Sequence, residues 1–179
     1  MPPLLKEAPI LLAIALLLQD GFPKPGAEHQ VLKHFEGEWE YTAKFMTGPG
    51  QESVSKGKES ARLIAGGLFI VFDSEGDMMG GKFVGHGTMG YDVLKKKYTG
   101  TWIDNMATGV YLVEATYDEK AKTFTEIMEG TNPRTGQPMK MKLVHTIKDK
   151  DQRSLRFFMP GNDGAQDLEM GGLEYTRKK

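Results

Sequence analysis

Two histidines and two glutamates stand on segments of alternating polarity, where a fold could bring them together: His86, His145, Glu114 and Glu126. His145 shares its face with Met141, Leu143 and Ile147, so the alternation turns its imidazole inward. Glu114 has the parity of Leu112, and Glu126 that of Phe124 and Met128. A neutral imidazole beside a carboxylate in an apolar pocket can carry acid–base chemistry or hold haem or a metal. The commoner outcome for such a group is a satisfied polar network lining a wet cavity. His29 and His34 do not share a helical face, and no ligand spacing of a metal site occurs, so neither metal nor cofactor is expected.

A second cluster is "TWIDNMATG" at 101–109. Alternation puts Trp102 and Asp104 on one face, with Asn105 and Met106 beyond them in a turn. With Tyr91 on the preceding strand, these residues could give a ligand an aromatic wall and a polar anchor. Asp104 could equally cap its own turn. The glycines of "GGKFVGHGTMG" (80–90) follow a strand pattern with no helix after it, which excludes a phosphate-cradling loop. They fit strong sheet curvature or a close ligand approach instead. "LKKK" (94–97) reads as a solvated hairpin tip without the aromatics of a nucleic-acid groove.

The elements that must position these residues are strands. Of 179 residues, 39% are hydrophobic and 26% charged, which suits a globular chain able to bury a substantial core. The net charge of -1 provides no field for nucleic acid or an anionic membrane. With no cysteine, disulfides, thiolate metal sites and a cysteine nucleophile are excluded. Strands are expected near 37–46, 53–64, 68–77, 82–91, 97–104, 109–117, 122–129, 138–148, 153–159 and 167–177. The turns between them are too short for crossover helices, so neighbours must be antiparallel. About ten strands in meander order close to hide their edges, which favours an up-and-down barrel over a sandwich. Ahead of them, "AEHQVLKHF" (27–35) reads as a short amphipathic helix with Val31, Leu32 and Phe35 on one face.

"APILLAIALLL" (8–18) is too short for a membrane span of about 20 residues but fits the apolar region of a secretory signal. Residues 1–20 are therefore expected to be a signal peptide or an apolar N-terminal helix, 21–26 a linker, and 27–179 the barrel domain. Export to the periplasm or medium follows if 1–20 is a signal, and a cytoplasmic location if it is not.

The first strand opens with "GEW" at 37–39 after the short helix, and the last segment ends in "EYTRKK". On both counts the chain resembles the calycin barrels, lipocalins and fatty-acid-binding proteins among them. That resemblance implies that Gly37 and Trp39 sit at the closed end beneath Arg177, a guanidinium suited to stacking on indole. "SEGDMMGGKFVGHGTMGYDVLKKKYTGTWIDNMATG" (74–109) and "ATYDEKAKT" (115–123) are similar to a bacterial domain-of-unknown-function family, number 1579. The similarity spans roughly 26 to 179 and brings a fold but no activity or catalytic residues.

The resulting expectation is an all-β, calycin-like barrel that binds a small hydrophobic or amphipathic ligand inside, with neither nucleic acid nor a membrane span involved. The candidate binding residues are Tyr91, Trp102, Asp104, Met106, Glu114, Glu126 and His145. The inward set should be Trp39, Tyr41, Phe69, Val71, Phe83, Met89, Tyr91, Trp102, Leu112, Glu114, Glu126, Leu143, His145 and Phe157. A cavity of a few hundred Å³ lined by at least two of Glu114, Glu126 and His145 should result. The alternatives are an isomerase or hydrolase built on a His–carboxylate pair, and a solidly packed interaction module.

Overall fold

A computed structural model describes residues 21–48, 50–78, 80–161 and 165–179. The apolar segment 1–20, for which a signal peptide or helix is expected, lies outside the described residues, as does Met79. Ten strands form a closed barrel: β1 (Gly37–Gly48), β2 (Gln51–Ile64), β3 (Phe69–Met78), β4 (Gly81–Asp92), β5 (Lys97–Asp104), β6 (Tyr111–Asp118), β7 (Thr123–Thr131), β8 (Pro138–Ile147), β9 (Gln152–Met159) and β10 (Leu168–Arg177). Every strand pairs antiparallel with its sequence neighbour, and β1 pairs with β10 to close the ring. Closure removes both sheet edges.

Turn chemistry sets where the strands reverse. Asp92 accepts hydrogen bonds from the backbone N–H of Leu94 and Lys95, and Asp118 does the same for Lys120 and Ala121. Asn132 accepts from Arg134 and Thr135 after β7. Each side chain supplies the acceptor that the reversing backbone lacks.

Before the barrel, α1 (Ala27–Val31) runs into a 3₁₀ turn (Leu32–His34) and plugs one end. Leu32 and Phe35 are almost wholly buried there, beside Trp39. The Trp39 indole N–H donates to the Phe35 carbonyl at 2.7 Å. Trp39 and Arg177 are opposite each other in the β1–β10 ladder, and the guanidinium lies 4.1 Å from the indole ring centre. Arg177 also donates to the carbonyls of Glu36, His34 and Lys150, which ties the entry turn and the β8–β9 hairpin to the last strand. Gly37 has φ +117°, and a Cβ there would collide with that guanidinium, so both its conformation and its neighbour require glycine.

The inward face differs from expectation on two strands. On β3 the core-facing residues are Ile70 and Phe72, with Ser74 also buried, so Phe69 is exposed and Val71 lies on the outer parity. On β6 they are Tyr111, Val113, Ala115 and Tyr117, which leaves Leu112 and Glu114 outside. Pairing of Tyr98 with Ala115 and Trp102 with Tyr111 fixes that register, and a slip of one residue reverses every assignment on a strand. Among the described residues no helix is long and apolar enough to cross a membrane.

Candidate functional site

Just above the plug, five strands bring ionisable side chains into the barrel. β2 contributes Glu59, β7 Glu126, β8 His145, β9 Arg153 and β10 Tyr175. Arg153 is 1% exposed and donates from Nη2 to Glu59 Oε1. Its guanidinium carbon lies 3.6 Å from the Tyr175 ring centre, 4.7 Å from that of Trp39 and 5.3 Å from that of Phe35. Aromatic faces thus surround the cation where water does not reach, which strengthens the attraction. The Tyr175 hydroxyl reaches Glu59 Oε2 at 3.5 Å, and burial pushes its pKa well up.

His145 Nε2 lies 3.1 Å from Glu126 Oε1, and the imidazole meets the Phe35 ring edge-on at 5.5 Å. Burial pushes the Glu126 carboxyl up to about 8, against a smaller opposing pull from Arg153. Burial likewise pushes His145 down to about 3, and Arg153 adds to that. Both groups are therefore neutral at neutral pH. Three buried nitrogens in this cluster have no hydrogen-bond partner: His145 Nδ1, Arg153 Nε and Arg153 Nη1. Unpaired buried polar atoms are costly and rare in native interiors, so they single out this floor.

The other candidates are scattered. Trp102 faces inward and its indole N–H donates to Asp104 Oδ2 at 3.0 Å, while Asp104 Oδ1 accepts from the Met106 backbone N–H at 2.9 Å. Asp104 thus holds Trp102 and its own turn, and Met106 is exposed in that turn. Tyr91 packs near the plug, with its ring centre 5.9 Å from His29 and 5.1 Å from Tyr98. Glu114 faces solvent and pairs with Lys97 at 2.9 Å. Its parity on β6 corrects the expected interior carboxylate. His86 is also on the outer wall, with Nδ1 2.7 Å from Asp73 Oδ1.

Two pockets of about 670 and 390 Å³ lie on the outer wall, the first across β1–β3 and the second across β5–β8, and neither is lined by Glu126 or His145. The expected cavity thus has no counterpart in these pockets, and Glu114 lines the second from outside. Among the described residues no group of three or more His, Asp or Glu side chains gathers to hold a metal ion.

Arg153, Glu59 and Tyr175 are the members of the floor missing from the sequence-based candidates. The signal was present in β9, where Arg153 has the parity of Leu155 and Phe157, and in β2, where Glu59 has that of Ala61. A charge on an otherwise apolar face marks a buried partner.

In sequence, no curated protein matches this chain. Among solved structures, Rv2717c from M. tuberculosis superposes with TM-score 0.64 at 12% identity, covering 86% of this chain and 99% of that one. The S-type phycobiliprotein lyase CPES from Guillardia theta superposes with TM-score 0.58 at 11% identity, covering 86% and 94%. At such identities the likeness is one of fold. The family described as "Protein of unknown function (DUF1579)" matches residues 24–177, so this calycin-like barrel belongs to that family.

Proposed function

We propose that the protein binds a small amphipathic molecule inside the barrel, with its polar end toward the Glu126–His145–Arg153 floor. The observation that carries this reading is a contrast along the interior. At the plug end Leu32, Trp39, Ile70 and Phe124 are 0–1% exposed. Toward the opposite end Phe45, Trp102, Met139, Met141 and Phe157 belong to the inward face yet remain only half-buried. Aromatic rings and adaptable methionines suit an apolar chain. The structural likeness to a phycobiliprotein lyase is in keeping with a barrel that handles a small molecule. The apolar run 8–18 further supports export, which predicts mature protein beginning near residues 20 to 26 by mass spectrometry.

Native mass spectrometry of protein from its own host tests the binding. A non-covalent small-molecule adduct is expected, and Met141→Trp, which fills the interior above the floor, should lose it while the circular dichroism stays that of a β-barrel. A wild-type protein that carries no adduct and takes up no added single-chain amphiphile removes the proposal.

A further inference from the structure

At the plug end the chain entering α1 meets two turns of the barrel, and the side chains they expose are large and apolar. Pro25 lies against Gly67 in the turn between β2 and β3, where an added Cβ would stand 3.3 Å from its Cγ. Segment 21–26 therefore runs beside that turn, and within it Phe22 is 83% exposed. Phe69, at the start of β3, is 43% exposed and lays its ring across its cross-strand partner Gly90. Beyond Gly90 comes the turn between β4 and β5, where Val93 and Leu94 are 64% and 91% exposed. Asp92 accepts from the backbone N–H of Leu94 and Lys95, and Lys96 takes a left-handed φ of +54°. That turn thus has a fixed shape, with Leu94 at its tip.

A single exposed leucine is ordinary, whereas a group of apolar side chains marks a contact surface. Charge indicates what it contacts. Lys24, Lys95 and Lys96 are exposed among these residues. Lys97 is paired with Glu114, but these three have no such partner among the described residues. The acids nearest in the chain are Asp92, occupied by its own turn, and Glu28 in the first turn of α1. The chain's net charge of -1 thus conceals a local positive group set around apolar tips. Projecting apolar tips ringed by lysines suit a bilayer surface, where the tips enter the headgroup layer and the ammonium groups meet lipid phosphate. A protein partner would need a separate pocket for each tip, and a nucleic acid would leave the tips without a contact.

We infer that the plug end docks on a bilayer surface containing anionic lipid, with Phe22, Val93 and Leu94 in the headgroup layer. The apolar run 8–18 precedes this surface in the chain, although the docking does not need it. The half-buried mouth lies at the other end of the barrel, so a docked molecule turns its mouth to solution. The inference is independent of what the interior holds.

Co-sedimentation of the protein with lipid vesicles tests it. Binding is expected at low salt to vesicles of phosphatidylcholine and phosphatidylglycerol in equal parts. It should be about tenfold or more weaker with phosphatidylcholine alone, and added salt should weaken it toward that level. Leu94→Asp and the double variant Lys95→Gln/Lys96→Gln should each lose about tenfold or more. Both sites are exposed, so the circular dichroism should stay that of a β-barrel. Leu112→Asp, at a leucine 64% exposed on the outer wall of β6, should bind as the wild type does. Wild-type protein that ignores anionic vesicles, or binds neutral and anionic vesicles alike, overturns the inference. So does binding that survives both plug-end variants, or that falls as far in Leu112→Asp.

Discussion

Glu126 and His145 are held uncharged from opposite directions, and this gives stability a pH profile of defined shape. The folded pKa of Glu126, about 8, lies above its usual 4.5, so its contribution is complete below pH 4.5 and is lost as pH rises toward 8. The folded pKa of His145, about 3, lies below its usual 6.5, so its contribution is complete above pH 6.5 and is lost as pH falls toward 3. From pH 4.5 to 6.5 the two slopes oppose each other and a plateau is expected. Above it, stability should fall by up to about 1.4 kcal/mol per pH unit. In Glu126→Gln that alkaline loss should disappear, as read from urea midpoints at several pH values. A second consequence concerns Arg153 and Glu59. Arg153→Met leaves a buried carboxylate unmatched and should cost about 3–5 kcal/mol. The double variant Glu59→Gln/Arg153→Met should recover most of that loss, again by urea denaturation.

Two hairpins share a device that explains several of the chain's glycines. Tyr41 on β1 lies across Gly57 of β2 and Gly76 of β3, which are cross-strand partners, and a Cβ at Gly57 would collide with its ring. Trp102 on β5 lies across Gly85 and Gly87 of β4, where a Cβ at Gly87 would come within 2.7 Å of Cε3. The bare backbone thus seats an aromatic ring from the neighbouring strand. Gly87→Ala should destabilise by about 1–3 kcal/mol and weaken the near-ultraviolet circular dichroism of Trp102. Sequence alone showed that these glycines belong to strands, yet not what lies over them, because the ring comes from another strand. Strand positions were legible because turn residues punctuate a period of two. Facing was less so. On β6 the set Tyr111, Val113, Ala115 and Tyr117 is uniformly apolar, whereas Leu112 and Glu114 alternate with it on the outer side. On β3 "FIVF" at 69–72 is apolar on both parities and marks no face at all.

At the scale of the whole molecule, the Gly-x-Trp opening and the terminal arginine were legible as a pair through the resemblance to calycin barrels, not from their spacing. Their contact joins β1 to β10 and anchors the plug. Arg177→Lys retains the charge but loses the planar fork that serves three carbonyls. It should cost about 1–3 kcal/mol, seen as a lower midpoint in thermal unfolding. The polar floor was only partly legible, since its five members come from five strands and no local spacing encodes their meeting.

The β1–β10 ladder has a further consequence for how the chain could be rewired. Lys178 still bonds to the Glu38 carbonyl at 2.8 Å, so the start of β1 and the end of β10 are side by side. A peptide from the end of β10 to the residues ahead of α1 would keep the plug, and new termini could open in the exposed turn between β5 and β6 around Thr108–Gly109. In such a circular permutant the plug connects β10 to β1, and the Trp39–Arg177 seam spans a short stretch of chain instead of joining distant parts of it. Topology sets folding speed through the sequence separation of contacts, so the seam would form early rather than last. Edge strands exposed while the barrel is incomplete would then be those of β5 and β6, moving the aggregation-prone stage of folding away from the plug.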